Sequence, residues 1–216
     1  MENILNFFIE VGKLKGKERR GWQIHKIKKP ETTAEHIFHS AILAWILGRD
    51  KKLNLEKVIK MALVHDICEI YSPDFTSYDA VGLKEKGKIT IKDFLKIKPK
   101  TGRPTLGQRK KLEKIKKKLE VKAMKKLLFK LPFDLKKEIQ TLWLDYENGL
   151  SPEGRFVKQV DKVTNLLQGL EYWQKYGKIQ CDLWMRRAKE VLDDPLLVEF
   201  MEALDKKFLK KKNKKI

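Results

Sequence analysis

Apolar residues recur at helical spacing along most of this 216-residue sequence, and no stretch alternates polar and apolar residues as a half-buried strand would. Helix-start signals divide the pattern into segments. The run from Thr32 to Glu35 has the spacing of a capping box, and Asn54 can cap the segment that follows. Ser151 and Asp194 each precede a proline suited to the first helical position. The sequence therefore predicts an all-α fold, a single bundle of six to eight helices.

The apolar periodicity and the start signals also predict where the helices lie. The predicted helices cover residues 3–11, 32–47, 54–71, 109–131, 135–146 and 151–176, with a last helix starting at 194. Residues 74–105 contain three glycines and two prolines, which predicts a long irregular connection with one helical turn near Lys92. We expect one domain over residues 1–205, including a lysine-rich insertion at about 82–130, and a basic tail at 206–216.

The formal net charge of +20 is concentrated in two places. Residues 84–130 hold 19 Lys and Arg against 4 Asp and Glu, and the tail from Lys206 adds 7 lysines and no acid. The rest of the chain carries a net charge of −2. Two interpretations stay open: a solvated lysine-rich face, or a patch that attracts nucleic acid or another polyanion. Only Phe94 and Phe129 are aromatic in this segment, so a base-stacking platform is not indicated.

The location of the chain is predicted from its hydropathy and its cysteines. No apolar run approaches the roughly 20 residues that a membrane-spanning helix needs. The first residues, MENILNFFIEVGKLKGKERR, do not have the pattern of a secretory signal. Cys68 and Cys181 are too few for a disulfide framework. We therefore expect a cytoplasmic protein with no membrane segment.

The segment MALVHDICEIYSPDF, residues 61–75, places an imidazole and two carboxylates in an otherwise apolar helix. On a helix, His65 and Glu69 share one face, and Asp66 lies about 100° around from His65. Two adjacent side chains splayed by this angle can both reach one metal ion beside the helix. Imidazole and carboxylate are common ligands of divalent transition metals. The segment therefore predicts part of a metal site that needs ligands from other helices.

His36 and Asp161 are the candidate partners, because each lies among apolar residues of a predicted helix. Taken alone, His36 is more typical of a satisfied core histidine, and Asp161 of a surface residue. A carboxylate on a packed helix is costly unless it is paired or coordinated. With His65 and Asp66, the set offers two nitrogens and at least two oxygens. This composition suits a catalytic Mn, Co, Fe or Ni site better than a closed structural zinc site.

The same residues resemble the H…HD…D signature of the HD superfamily of metal-dependent phosphohydrolases, here His36, His65, Asp66 and Asp161. Three longer stretches resemble the 5′-deoxyribonucleotidase branch: GWQIHKIKKPETTAEH, ALVHDICEIYSPD and LWLDYENGLSPEGRFVKQVDKVTNLLQGLEYW. This resemblance spans residues 19–79 and 132–175, and the basic insertion is longer than expected for such relatives. It implies that the four residues bind one divalent metal, Mn or Co, with Fe, Ni or Zn as further options. It also implies a homodimer.

The resemblance assigns roles to two carboxylates outside the metal set. Glu69 would accept the proton of the attacking water or hold that water in line. Asp74 would contact the substrate sugar or act as a general acid or base. The relatives carry Gly-Asp at this position, whereas this chain has Pro73-Asp74, so the loop geometry differs from the family pattern.

Four further residues are candidates for substrate binding. Arg19 and Arg20 both match the position at which relatives supply an arginine for the phosphate, and the spacing favours Arg19. Trp22 would stack on the base or pack as a core aromatic. Ser77 would supply a hydroxyl near the substrate.

The function expected from these observations is metal-dependent hydrolysis of (deoxy)nucleoside 5′-monophosphates to nucleoside and phosphate. One alternative is another HD phosphohydrolase activity, on nucleoside triphosphates or cyclic nucleotides. A second alternative is a nucleic-acid-binding protein that keeps an HD scaffold and uses the basic insertion.

Overall fold

The computed structural model describes residues 1–84, 90, 92, 94, 96–100, 102–177, 179 and 181–209, the side chains of 182, 183 and 187 excepted. In this part of the chain there is no β-strand, only an isolated antiparallel bridge between Glu18 and Thr32. The predicted all-α fold is confirmed. The α-helices described are α1 Glu2–Gly12, α2 Arg20–Ile24, α3 Thr33–Gly48, α4 Leu55–Val64, α5 Ser77–Val81, α6 Leu106–Leu127, α7 Phe133–Asn148, α8 Pro152–Tyr176, α9 Cys181–Val191 and α10 Pro195–Phe208.

Most of the predicted helices are present with small shifts at their ends. The predicted helix at 109–131 begins earlier, as α6, because Thr105 caps it directly before Leu106 and forms a capping box with Gln108. The short helices α2 and α5 and the helix α9 were not predicted. Lys92 and Phe94 are helical, as expected near Lys92, while residues 91, 93 and 95 lie outside the described residues. Residues 210–216 of the predicted tail also lie outside them.

The predicted continuous helix over 54–71 is wrong. Helix α4 ends at Val64, His65 and Asp66 form a turn, and Ile67–Ile70 is a 3₁₀-helix. The His65 Nδ1 atom lies 2.7 Å from the Ala62 carbonyl oxygen. In an unbroken α-helix that carbonyl would accept the N–H of Asp66. The imidazole therefore takes over an acceptor that continuation of the helix would use.

The chain divides into two compact units, the first made of Met1–Thr33 and Ile67–Leu131. Its apolar core holds Ala80, Leu83 and Phe94 together with Leu112 and Ile115 of α6. Helix α6 packs against α5 and against the 3₁₀-helix Ile67–Ile70. One face of the basic insertion is therefore part of a core, and most of its lysines lie on the solvent-exposed side.

The second unit consists of Ala34–Asp66 and Pro132–Ile216 and is organised around α8. This 25-residue helix contacts α4, α7, α9 and α10. Ser151 caps its first turn by accepting the N–H of Gly154, and Gly177 ends it in a left-handed conformation with φ of 67°. Val160 and Val163 on its buried face are fully enclosed. None of the described helices is both long and apolar enough to cross a bilayer.

A charged network fixes the connection between α7 and α8 within the second unit. The Lys57 Nζ atom lies 2.7 Å from the Asp145 carboxylate and 3.2 Å from that of Glu153. Ser151 donates both its N–H and its hydroxyl to Asp145. Burial would raise the pKa of Asp145, but the hydrogen bonds from Lys57 and Ser151 outweigh it and lower that pKa. The network therefore stabilises the folded state through an ionised carboxylate.

We expect Lys57→Met to reduce the free energy of unfolding at pH 7 by about 1–2 kcal/mol, since it removes the charged hydrogen bonds that Lys57 donates to Asp145 and Glu153. The pKa of Asp145 is lowered on folding. The stabilisation is therefore fully present at pH values above 3.8, the ordinary pKa of an aspartate, and is lost as the pH falls through the lower pKa of Asp145 in the folded protein. Urea unfolding of both proteins between pH 7 and pH 3 should therefore show the difference narrowing toward the acid end.

The matched control is Lys60→Met, on the same helix, whose partners Glu56 and Glu138 are both largely exposed. Solvent screens such pairs, so the loss should be much smaller than for Lys57→Met. Equal losses for the two variants would contradict a special role for the Lys57 network.

Candidate functional site

Three buried side chains of the second unit converge from three helical segments. His36 lies on α3, His65 follows α4, and Asp161 lies in the middle of α8. One ligand atom from each lies within 4.8 Å of those of the other two. The His36 Nε2 atom is 3.1 Å from Asp161 Oδ1 and 3.4 Å from His65 Nε2. This spacing can accommodate a single divalent ion bound by all three.

Asp66 completes the set of residues predicted as metal ligands. Its Oδ2 atom lies 3.3 Å from His65 Nε2 and 3.8 Å from His36 Nε2. Its side chain is 17% exposed, whereas those of the two histidines are fully enclosed. The structure therefore brings all four predicted ligands into one cluster, with Asp66 as its most accessible member.

The hydrogen bond made by His65 determines which of its nitrogens can bind a metal. A carbonyl oxygen only accepts, so the contact between His65 Nδ1 and the Ala62 carbonyl places a proton on Nδ1. In the neutral ring the lone pair is then on Nε2, the atom that faces His36 and Asp66. Fixing the tautomer through the second ring nitrogen is typical of metal-binding histidines. The donor set and the tautomer of His65 both fit a divalent metal.

Burial and charge oppose each other in this cluster. Burial would raise the pKa of Asp161, but Lys162 and His36 hold it well below its usual range. Burial would lower the pKa of His65, but Asp66 and Asp161 raise it. The groups thus stabilise one another's charged forms within a largely buried cluster. A divalent cation can take over this neutralisation, since metal and protons compete for the same atoms.

Tyr146 touches this cluster and was not predicted. Its hydroxyl donates to Asp161 Oδ2 at 3.2 Å, and its ring centroid lies 5.1 Å from that of His65. Burial, followed by the charges of Asp161 and Asp66, raises the pKa of Tyr146 well above 10, which keeps the hydroxyl protonated as a donor. In the sequence, Tyr146 is one aromatic among the apolar positions of a helix, so no signal separated it from ordinary core residues.

A second polar cluster lies within the first unit and contains three of the predicted site residues. The Arg19 guanidinium lies 3.4 Å from Glu69 Oε1 and 3.6 Å from Asp74 Oδ1, and all three residues are buried. Thr33, which was not predicted as a site residue, donates its hydroxyl to Glu69 Oε2 at 2.9 Å. Arg19 thus bridges the two carboxylates that the sequence assigns to catalysis.

Arg20 is engaged differently from Arg19. Its backbone N–H donates to Asp74 Oδ2 at 2.9 Å, and its guanidinium pairs with Asp79 Oδ1 at 2.7 Å. A cavity of about 450 Å³ in this unit is lined by residues including Arg20, Asp74, Lys17 and Gln23. Arg20 therefore helps to hold Asp74 in place at the edge of this cavity.

The two remaining candidates for substrate binding occupy different environments. Trp22 is 2% exposed, and its indole N–H donates to Glu31 at 2.8 Å. Of the two roles open to Trp22, this burial favours packing. Ser77 is half-buried and is the first residue of α5, directly after the cap residue Thr76.

Asp79 connects the start of α5 to Arg20. Its Oδ2 atom accepts the N–H and the hydroxyl of Thr76, both at 2.8 Å, and its Oδ1 atom accepts Arg20. We expect Asp79→Ala to lower the free energy of unfolding by about 2 kcal/mol, because it removes a helix cap and a charged hydrogen bond. Urea unfolding followed by circular dichroism measures this change.

The control for Asp79→Ala is Glu18→Ala. It removes an exposed carboxylate that, within the described part of the chain, accepts a hydrogen bond from the Gln23 side-chain amide alone, at 3.0 Å. That variant should change the stability by less than about 0.5 kcal/mol. A loss from Asp79→Ala no larger than that of the control would show that the capping contacts contribute little.

Comparison with known proteins places the chain in a family. The family model described as HD domain matches residues 11–200. The chain belongs to the HD-domain family. Among the similar curated proteins, the 5'-deoxynucleotidase HDDC2 of Bos taurus is 33% identical over 206 residues, covering 94% of this chain and 84% of the relative. The Homo sapiens 5'-deoxynucleotidase HDDC2 is 31% identical over 206 residues, covering 94% of this chain and 85% of the relative.

Solved structures of other proteins share the fold of this HD-domain chain. A conserved hypothetical protein from Pyrococcus furiosus superimposes with a TM-score of 0.65 at 23% identity, covering 94% of this chain and 99% of that one. A protein named "predicted metal-dependent phosphohydrolase" from Magnetospirillum magnetotacticum gives a TM-score of 0.61 at 25% identity, covering 97% of this chain and 95% of that one.

Proposed function

We propose that this HD-domain chain is a metal-dependent phosphomonoesterase that hydrolyses (deoxy)nucleoside 5′-monophosphates to nucleoside and phosphate. The observation that carries the proposal is the cluster of two imidazoles and two carboxylates in the second unit, in which Asp66 is partly exposed and the other three residues are buried. Relatives named 5'-deoxynucleotidase, 31–33% identical over 94% of this chain, support the choice of substrate class.

In this proposal the metal is held by the four residues of this cluster, His36, His65, Asp66 and Asp161. A bound divalent metal would polarise a phosphoryl oxygen and lower the pKa of a coordinated water. The mixed nitrogen and oxygen donors suit Mn or Co, and also Fe, Ni or Zn. The role of the protein side chains is to orient the metal through His65 Nε2, whose tautomer the Ala62 carbonyl fixes.

Glu69 is proposed as the general base. It accepts the proton of the attacking water as the new P–O bond forms, while the bond between phosphorus and the 5′ oxygen breaks. Glu69 is held by Thr33 and Arg19 in a buried position, which restrains its carboxylate in one orientation. Asp74 contacts the sugar or returns a proton to the leaving 5′ oxygen, and it is held by the Arg20 N–H.

Arg19 is proposed as the residue that binds the substrate phosphate. A planar guanidinium can pair with two phosphate oxygens at once. Arg20 is a weaker candidate because its guanidinium is already paired with Asp79 at 2.7 Å, whereas Arg19 makes longer contacts with two carboxylates. Ser77 is retained as the source of a hydroxyl near the substrate. Trp22 is retained as the aromatic residue that packs beneath the substrate base.

The test is phosphate release from a panel of ribo- and deoxyribonucleoside 5′-monophosphates, with Mn²⁺, Co²⁺, Mg²⁺ or a chelator. We expect phosphate release that depends on a transition metal and is lost when the chelator is added. Asp66→Ala should reduce the rate by at least about 100-fold, since it removes a ligand of the proposed metal site. Asp50→Ala, which changes an exposed carboxylate, should leave the rate unchanged.

If folded, metal-loaded protein releases phosphate from none of the monophosphates, the monophosphatase proposal is wrong. Nucleoside triphosphates and cyclic nucleotides in the same assay then test the other HD activities. Salt-dependent binding of DNA or RNA, without hydrolysis, would instead favour the nucleic-acid alternative.

Glu69→Gln separates proton transfer from metal binding. Glutamine keeps the size of the side chain but cannot accept the proton, so kcat should fall by about 10²- to 10⁴-fold. The metal content of the purified variant, measured by mass spectrometry, should equal that of the wild type because Glu69 is not a proposed ligand. A full loss of metal from the folded variant would contradict the role of Glu69 as a base alone.

The proposal includes a homodimer, which the family resemblance implies, and a cytoplasmic location, which the hydropathy and the cysteine content predict. Among the described residues, Cys68 and Cys181 form no disulfide, which agrees with a reducing compartment. Light scattering in solution measures the oligomeric state directly.

A further inference from the structure

The carboxylate of Asp161 is held from several sides by donors of the second unit. The Tyr146 hydroxyl lies 3.2 Å from Oδ2, and the Lys162 ammonium lies 2.6 Å from the same oxygen. The Asn165 side-chain amide donates to Oδ1 at 2.7 Å. The same amide also donates to the Asp161 backbone carbonyl at 2.9 Å. The carboxylate and the carbonyl can only accept here, so the amide nitrogen of Asn165 is the donor in both hydrogen bonds.

Counting acceptor positions shows what these donors leave for a metal. A carboxylate has about four lone-pair positions, two on each oxygen. Tyr146 and Lys162 occupy the positions on Oδ2. Asn165 occupies one position on Oδ1, and the remaining one faces His36 Nε2 at 3.1 Å. The arrangement therefore offers a single oxygen, Oδ1, toward the cluster.

We propose that Tyr146 and Asn165 are positioning residues that restrict Asp161 to monodentate binding of the metal through Oδ1. This inference rests on the proposed function, because it concerns the metal site assigned there. Tyr146 and Asn165 act through Asp161 and contact neither the metal nor the substrate.

The three donors contribute unequally because their exposure differs. Tyr146 is 5% exposed and belongs to α7, so it ties the carboxylate to a second helix that is packed against α8. Asn165 is half-buried and lies one turn after Asp161 on α8. The Lys162 side chain is 51% exposed, so water and salt screen its charge. Tyr146 and Asn165 should therefore dominate the orientation of Asp161, with Lys162 adding little.

Co²⁺ titration of the metal-free full-length protein tests the inference, with affinity obtained by chelator competition. Removing an outer partner of a metal ligand typically weakens binding 10- to 100-fold. We expect losses of this size for Tyr146→Phe and Asn165→Ala, and less than about threefold for Lys162→Met. The visible absorption bands of bound Co²⁺ should also change in the first two variants, because their shape and intensity report coordination geometry.

Tyr172→Phe is the matched control, since it also removes the hydroxyl of a buried tyrosine. Tyr172 lies on α8, 11 positions beyond Asp161. This variant should leave both the affinity and the Co²⁺ spectrum unchanged. Thermal melting of the metal-free proteins separates effects on folding from effects on the site. If Tyr146→Phe does not fold, Asn165→Ala carries the test, because it removes a half-buried side chain and no core packing.

Wild-type affinity and an unchanged spectrum in both folded variants would overturn the positioning role while leaving the proposed function intact. Failure of the wild-type protein to bind Co²⁺ or Mn²⁺ at all would overturn the proposed function and this inference with it. Weakened affinity with an altered spectrum, absent in Tyr172→Phe, is the result that supports the inference.

Discussion

The burial of Asp161 in the middle of α8 is the constraint on which the rest of the second unit depends. An uncompensated carboxylate in a packed core costs several kcal/mol, so this position is tolerated only with opposite charges and donors around it. His36, Lys162 and Asn165 supply them. The other apolar positions of α8, such as Val160 and Val163, are fully buried, so the helix cannot rotate to expose the carboxylate without losing its core contacts. The core and the polar cluster therefore fix each other.

The parts of this arrangement that the sequence could predict are those carried by local signals. The caps at Asn54, Ser151 and Asp194 all form as the side-chain patterns indicated, because a cap is decided within three or four residues. His36 and Asp161 were found because a polar residue at an apolar helical position is unusual and needs a compensating partner. The convergence of the four cluster residues then follows from the HD pattern rather than from periodicity.

The features that were missed depend on contacts that leave no periodic trace. Apolar spacing continues past Val64, yet the helix stops there, and the His65 side chain instead donates to the Ala62 carbonyl. Helix α5 is hidden in a segment rich in glycine and proline, and it forms because Thr76 and Asp79 cap it reciprocally. Tyr146 has the sequence context of any core aromatic, and only the Asp161 oxygen opposite its hydroxyl gives it a different role.

The basic insertion is best understood through the face of α6 that the lysines do not occupy. Its apolar residues, among them Leu112 and Ile115, build the core of the first unit, and the helix packs on the 3₁₀-helix that carries Glu69. Lys17 further holds that segment by donating to the backbone carbonyls of Glu69 and Ser72. Most of the lysines of α6 lie on its solvent-exposed side. Helix α6 therefore has a structural role in supporting Glu69. If the protein also binds a polyanion, that second role would belong to the lysine side of the helix.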